Sequence, residues 1–405
     1  MTNPLWTTLK HLAVVQTGVT LSGEGDPSLP EWPYLRVANV QVGFVDLTEV
    51  KTLRLTEDAA ASSKLKRGDV LMTEGGDIDK LGRGAIWHGE IANALHQNHV
   101  FAVRPGVRLL PEFLVYWLDG PVARNYFRLT AKKTTNLAAT NKWTLGNLPV
   151  ACPPVEDQRR IVAYLDEQTA EIDTLIGEQQ RLIDLLRERR ESAIRSVLLR
   201  GLDFDVPVRH SGSDLLGQIP SAWRLVRTRY LCNITTGGED SGNASDDGKY
   251  PFYVRGREIL RSDDYAFDGE AVMTPGDGQG GTGKVFHYFS GKFQAHQRVY
   301  VFTDFQGIDG RYFYYYLSTF LRPIALAGSN TVTMESLRRP LLADFPVAVP
   351  PLEEQRKIVT HLDQRASKTD TLIAEAGRFI ELSQERRAAL ITAAVTGQIN
   401  VREAA

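Results

Sequence analysis

The sequence predicts an α+β protein: two α+β domains and two long helices in the order domain, helix, domain, helix, the helices paired as an antiparallel coiled coil, and a pseudo-twofold internal repeat. Three observations predict it. The run CPPVEDQRRIVAYLD at 152–166 returns as VPPLEEQRKIVTHLD at 349–363; at a constant offset of 197, residues 148–199 align with 345–396 without a gap, and 24 of 52 positions are identical. Such a repeat is read before anything else, because it sets the architecture. After each Pro-Pro pair the apolar residues fall at helical spacing, and the segments between the helices echo each other more weakly.

The first domain is expected over residues 1–152. Short β-rich runs broken by Gly-containing turns, and a brief helix near 111–119, give its α+β character. Residues 153–200 then form the first helix. Prolines suit a helix entry, where the missing amide has no partner, and Glu156 and Asp157 complement the positive helix end. Ile161, Leu165, Ile172, Ile176, Ile183, Leu186, Ala193 and Val197 make an apolar stripe. A break in the helix is expected near 166–170, and polar interruptions stand at Gln179 and Arg190.

Residues 201–222 have turn chemistry without periodicity and are expected to be a linker. The second domain, 223–349, repeats features of the first. GEAVMTPGD at 269–277 matches GDVLMTEGG at 68–76, His296-Gln297 before an apolar strand matches His96-Gln97, and Trp223 opens the domain as Trp6 opens the first. The second helix, 350–397, carries Ile358, Leu362, Ile373, Ile380, Leu390 and Ala394 as its stripe, with a break expected near 363–367 and interruptions at Ser383 and Arg387. Neither stripe can be hidden alone, and the heptad-like spacing makes the helices partners. Residues 398–405 are left as a C-terminal tail.

Composition bounds the function. Hydrophobic content of 42% and charged content of 24% are those of a globular chain. No apolar run approaches the roughly 20 residues that span a bilayer, and no signal-peptide order opens the chain, so a cytoplasmic protein without membrane contact is expected. Cys152 and Cys232 are too few for a disulfide framework or a cysteine metal site. The net charge is −2, and no region is strongly basic: 1–150 has 16 basic against 14 acidic residues, and 201–345 has 15 against 17. A nucleic-acid contact must therefore use local patches.

Catalytic motifs fail on inspection. GQGGTGKV at 278–285 fits a P-loop through Gly278, Gly283 and Lys284 but has Val285 where magnesium needs a hydroxyl, and an aromatic, β-like run comes next where a helix is required. His96, His99 and His296 have no acidic cluster near them, and the repeated His-Gln is expected to orient each domain by hydrogen bonds. No nucleophile-base arrangement is legible, no metal site is expected, and neither Pro-Pro pair has the flanking residues of an adenine methyltransferase motif.

Polar loops are the remaining candidates, because Arg and Lys suit guanine edges and phosphates, and Asn and Gln suit adenine. The candidate contacts are Arg36 and Asn39 in YLRVANVQ; Lys80 and Arg83 in DIDKLGRG; Lys132, Lys133, Thr134 and Asn136 in RLTAKKTTN; Arg255 and Arg257 in YVRGREILR; Gln279 and Lys284 in the glycine loop; and Ser329, Asn330 and Thr331 in GSNTVT.

The chain resembles the specificity subunit of type I restriction-modification systems over nearly its full length. The resemblance rests on the duplicated PP(V/L)E(D/E)QR(R/K)IV..LD blocks, D-T-L-I at 173–176 and 370–373, E-R-R at 188–190 and 385–387, AAVTGQI at 393–399 and LGQIPSAW at 216–223. One departure is VLLRGLD at the end of the first helix, where the second copy has AAVTGQI, so the two helix exits are expected to differ. The resemblance implies two target recognition domains, each reading one half of a split double-stranded DNA site, with the helices as spacer. It implies no reaction and no cofactor on this chain. Partners would be two methyltransferase subunits, which bind S-adenosylmethionine, and restriction subunits, which use ATP and magnesium. Outer helix faces such as Arg181, Arg187, Glu188 and Arg378 would be free for docking. The alternative is a two-headed interaction scaffold with a non-DNA ligand.

Overall fold

The computed structural model describes residues 5–20, 26–78, 81–133, 138–214, 216–277, 283–327 and 337–401. Two compact units emerge, one of residues 1–180 with 377–405 and the other of residues 181–376. Each therefore contains one α+β domain and half of each long helix.

In the first unit a four-stranded antiparallel sheet runs in the order Ala13–Thr17, Val100–Pro105, Val70–Thr73, Gly84–Ile86. A second sheet pairs Lys51–Arg54, Glu31–Leu35 and Leu95–His96, the last two strands parallel. Leu5–Thr8 pairs with Pro149–Cys152, so the start of the domain is stitched to the residues that lead into the first long helix. The expected short helix is present at Pro111–Asp119, succeeded directly by Pro121–Thr130.

The second unit repeats this order in one six-stranded sheet. Asn233–Thr236, Val299–Thr303, Phe267–Pro275 and His287–Ala295 succeed one another as the four strands of the first unit do. The strand Tyr250–Tyr253 then joins in parallel, as Glu31–Leu35 does, and Ile259–Ser262 closes the edge. Arg224–Arg227 pairs with Pro346–Val349, and a single helix, Gly310–Ala327, replaces the two short ones. GDVLMTEGG and GEAVMTPGD are echoes because both supply an interior strand whose apolar residues are wholly buried: Val70, Leu71 and Met72 in one, Ala271, Val272 and Met273 in the other.

The long helices are Val155–Arg200 and Leu352–Val395, each unbroken across the expected interruptions. At about 1.5 Å per residue the first is roughly 70 Å long. Within the first unit Ile161 and Leu165 share a core with Ile391, Ala394 and Val395, while farther along Arg387 lies 3.0 Å from Asp173, so the two halves run antiparallel. Within the second unit Val197 and Leu198 share a core with Ile358 and Leu362, and Arg190 reaches Asp370 at 2.6 Å. The interruptions at Arg190 and Arg387 are thus equivalent cross-helix ion pairs to the aspartates of the two D-T-L-I blocks.

Three further expectations change. Both helices end on a glycine with φ of +76°, Gly201 and Gly397, whose amides return to Val197 and Ala394 in the last turn. A side chain at either would be strained, and the exits agree at this step despite the different sequences. The stretch 201–222 is not a free linker: Val208–His210 and Gln218–Pro220 form a hairpin, and Leu216 and Ile219 are buried in the second unit's core. Likewise Val401 is buried in the first unit's core, so the described part of the C-terminal tail is packed. Among the described residues, no helix is long and apolar enough to cross a membrane.

Candidate nucleic-acid interface

The residues identical between the repeats turn out to be fasteners. Gln158 is fully buried; its oxygen accepts from the Leu110 amide (2.8 Å), and its nitrogen donates to the carbonyls of Arg108 and Pro153 (both 2.8 Å). Gln355 does the same in the second unit, accepting from the Asp309 amide and donating to the carbonyls of Gly307 and Pro350. Each long helix is thereby tied to the loop that opens the helix of its own domain. Tyr116 donates to Asp166 (2.7 Å), and Tyr315 donates to Asp363, a carboxylate that also pairs with Arg311. Burial first, and then the Asp166 carboxylate, push the Tyr116 phenol up to about 12, so it stays a donor at any working pH.

His96 and His296 orient their domains, as expected, both through Nδ1 but as opposite tautomers. His96 Nδ1 lies 2.6 Å from the Val100 carbonyl and must donate, whereas His296 Nδ1 accepts from the Arg298 amide (3.0 Å), which leaves its proton on Nε2. Burial is the main cause that lowers both pKa values and favours the neutral rings. Behind each lies a glycine for which no other residue would do. A Cβ at Gly18 would lie 1.8 Å from the His96 carbonyl oxygen, and one at Gly237 1.9 Å from that of Ala295.

The candidate contacts divide. Arg257 and Lys284 are exposed, as is Lys132. Arg36 is half-buried and paired with Glu49 at 3.3 Å. Arg255 is exposed and lies 3.7 Å from Asp277. Two assignments are corrected by their surroundings. Asn39 is buried, its amide donating to the carbonyls of Asp46 and Glu49 and accepting from the Arg36 amide, so it shapes its loop and offers no edge to a base. Arg83 pairs with Asp119 (3.3 Å), which also binds Arg387, so it faces the long helices of its unit. Lys80, Thr134, Asn136, Gln279, Ser329, Asn330 and Thr331, and the side chain of Lys133, lie outside the described residues. Residues 278–282 of the near P-loop do too, and the chain beyond Lys284 enters the strand His287–Ala295 and not a helix.

Sequence reasoning missed one histidine–carboxylate contact, one ion pair and one apolar surface. His99 Nδ1 lies 2.6 Å from Glu74 in the first unit, and Arg298 Nη1 lies 2.8 Å from Asp277 in the second. On the long helices Leu175, Phe379 and Leu382 are exposed in the first unit, and their repeat equivalents Leu372, Leu182 and Leu185 are exposed in the second. Arg181, Arg187, Glu188 and Arg378 are exposed as well. The helical pattern for these outer leucines was present, hidden behind the stronger inner stripe.

Comparison with known proteins places this architecture. Residues 220–378 match the family model of the type I restriction modification DNA specificity domain. A putative type I restriction enzyme MjaX specificity subunit of Methanocaldococcus jannaschii is 22% identical, over 96% of this chain and 92% of that protein. The EcoDI specificity subunit of Escherichia coli is 28% identical over 45% of this chain, and the match spans 40% of the relative. Among solved structures, a chain from a type I R-M system superposes with a TM-score of 0.76 at 19% identity, covering 98% of this chain and 99% of the other. The HsdS subunit of Thermoanaerobacter tengcongensis covers 98% of both chains with a TM-score of 0.52 at 19% identity. With its fold built twice and its long helices paired antiparallel within each unit, this chain is similar in sequence and in fold to the specificity subunits of type I restriction-modification systems.

Proposed function

We propose that this chain recognises a specific double-stranded DNA sequence in two parts, one per unit, and performs no reaction of its own. The observation that carries this reading is one backbone scaffold built twice with different exposed polar side chains. Gln158 and Gln355, Gly18 and Gly237, and Tyr116 and Tyr315 keep the frame the same. Repetition of the frame with divergence of its surface is what reading an asymmetric site demands. Residues 1–152 and 223–349 are then the target recognition domains, with Arg255, Arg257, Lys284 and Lys132 as described contacts.

The exposed leucines and Phe379 on the long helices, flanked by Arg181 and Arg378, suit docking of two methyltransferase subunits. Those subunits would supply S-adenosylmethionine, and restriction subunits would supply ATP and magnesium chemistry, in the cytoplasm. Sequencing of methylated adenines in cells that carry this chain with its methyltransferase tests the reading; a two-part asymmetric motif is expected. Binding to duplex DNA should also weaken steeply with salt. Absence of both a motif and salt-dependent binding would leave the two-headed scaffold with a non-DNA ligand.

A further inference from the structure

We propose that Arg298 is a base-reading residue of the second unit, aimed by Asp277, and that it recognises a guanine in the half-site this unit reads. This rests on the DNA-recognition reading above.

The two units share a frame at this position and differ in what stands on it. The loop after each His-Gln pair meets the loop after each buried Met-Thr strand in the same way: the Glu74 amide donates to the His99 carbonyl (2.9 Å), and the Gly276 amide donates to the Arg298 carbonyl (2.8 Å). His99 and Arg298 therefore occupy one scaffold position, with the His-Gln echo one residue out of step with the fold: the His296 amide donates to the Tyr253 carbonyl as the Gln97 amide does to that of Leu35. In both units a cation-capable side chain there leans on a carboxylate from the facing loop. The exposures match closely, 57% and 33% for His99 and Glu74 against 56% and 31% for Arg298 and Asp277. The frame is held constant and the chemistry is exchanged. A protein that reads two different half-sites with one fold must differ at its reading positions, and this is such a position, fixed by backbone bonds.

Arg298 is also held more firmly than an ordinary surface arginine. Its amide donates to His296 Nδ1, its carbonyl accepts from Gly276, and its Nη1 donates to Asp277 Oδ2. The buried His296 thus serves as a backbone support. Asp277 is shared with Arg255, 3.7 Å from its other oxygen, so two guanidinium groups converge on one carboxylate. One contact through Nη1 leaves further donors of a planar fork on a side chain that is more than half exposed. That geometry suits the paired acceptors O6 and N7 of guanine in the major groove, and pre-organisation lowers the ordering cost of each bond.

The test is selection from random duplexes by the full chain in complex with its methyltransferase subunits. Wild type should select a two-part motif containing a guanine that Arg298→Lys makes degenerate, with discrimination there falling roughly ten- to hundredfold while the other half-site and non-specific affinity stay the same. The lysine keeps the charge and removes the fork. Asp277→Asn should relax the same position to a smaller degree, and Arg257→Ala should lower affinity without altering the motif. An unchanged motif from Arg298→Lys would overturn the proposal and leave the DNA-recognition reading standing. A uniform loss of affinity with a smaller salt slope would also overturn it, since it would put Arg298 on a phosphate. If wild type selects no motif, the reading itself falls and the assignment falls with it.

Discussion

Gln158 and Gln355 are the residues at which repeat and fold meet most directly. Each satisfies a half-buried amide, a half-buried carbonyl and a buried carbonyl, and replacing either by leucine removes all three bonds. A loss of about 2–4 kcal/mol is expected for each variant, since an unsatisfied buried group costs about 1–3 kcal/mol and some will recover a water. Hydrogen exchange on the full chain should localise the loss to the first unit for Gln158→Leu and to the second for Gln355→Leu; protection lost equally in both would contradict the clamp. The sequence displayed these glutamines as identities but could not reveal their role, because two of the three partners of each are backbone atoms 46–50 residues away. His96 gives a pH prediction. Burial lowers its pKa below the usual 6.5, so as pH falls the unfolded chain takes up the proton first. Its contribution is present in full above about pH 6.5 and is lost as pH falls toward the folded value. First-unit amides should therefore be less protected at pH 5 than at pH 7.5, and His96→Asn, which keeps a donor for the Val100 carbonyl, should flatten that slope. An unaltered slope would assign the effect elsewhere.

At the scale of elements, the long helices were legible from periodicity, because the inward stripe names its own buried residues: Ile161, Leu165, Ile358 and Leu362 all have under 3% of their surface exposed. The charged interruptions were visible but not their partners. A period gives the face of a helix, whereas the pairing of Asp173 with Arg387 and of Arg190 with Asp370 depends on the antiparallel register. The expected breaks failed for a related reason. Polar residues such as Asp166 and Asp363 interrupt the pattern because they accept bonds from Tyr116 and Tyr315, and a side-chain partner on another element does not disturb helical backbone. The two cross-helix pairs should differ in strength. Arg190 meets one exposed carboxylate, worth about 0.5–1 kcal/mol at most. Arg387 lies within 3.0 Å of both Asp119 and Asp173, and Asp119 also holds Arg83. Arg387→Ala should cost about 1–2 kcal/mol and couple to Asp119 in a double-mutant cycle, while Arg190→Ala stays under about 1 kcal/mol. Equal losses would mean that the network around Asp119 adds nothing to a solitary surface pair.

For the whole molecule, the order domain, helix, domain, helix was readable, but the compact units were not, because each is assembled from distant stretches. The first unit joins residues 1–180 to 377–405, so the second repeat's helix end and Val401 complete the core of the first domain. Reading loops were the least legible, since Asn39 and Arg83 have the right composition for DNA and internal partners that only the fold supplies. This division governs how a specificity exchange must be made. Replacing residues 1–147 by the corresponding domain of a related subunit keeps Pro149–Cys152, both long helices and the C-terminal segment in place. The incoming domain must then supply what those elements expect: a strand to pair with Pro149–Cys152, a backbone amide and carbonyl for Gln158, and a tyrosine for Asp166. A donor that meets these conditions should change one half of the methylated sequence and leave the other half intact, because no side chain of the second unit is touched. A donor lacking the tyrosine should fold less stably and methylate less at the same altered site. Sequencing of methylated adenines reads both outcomes. If a compatible donor changed both halves, the two units would not be independent readers; if it changed neither, recognition would have to lie outside residues 1–147.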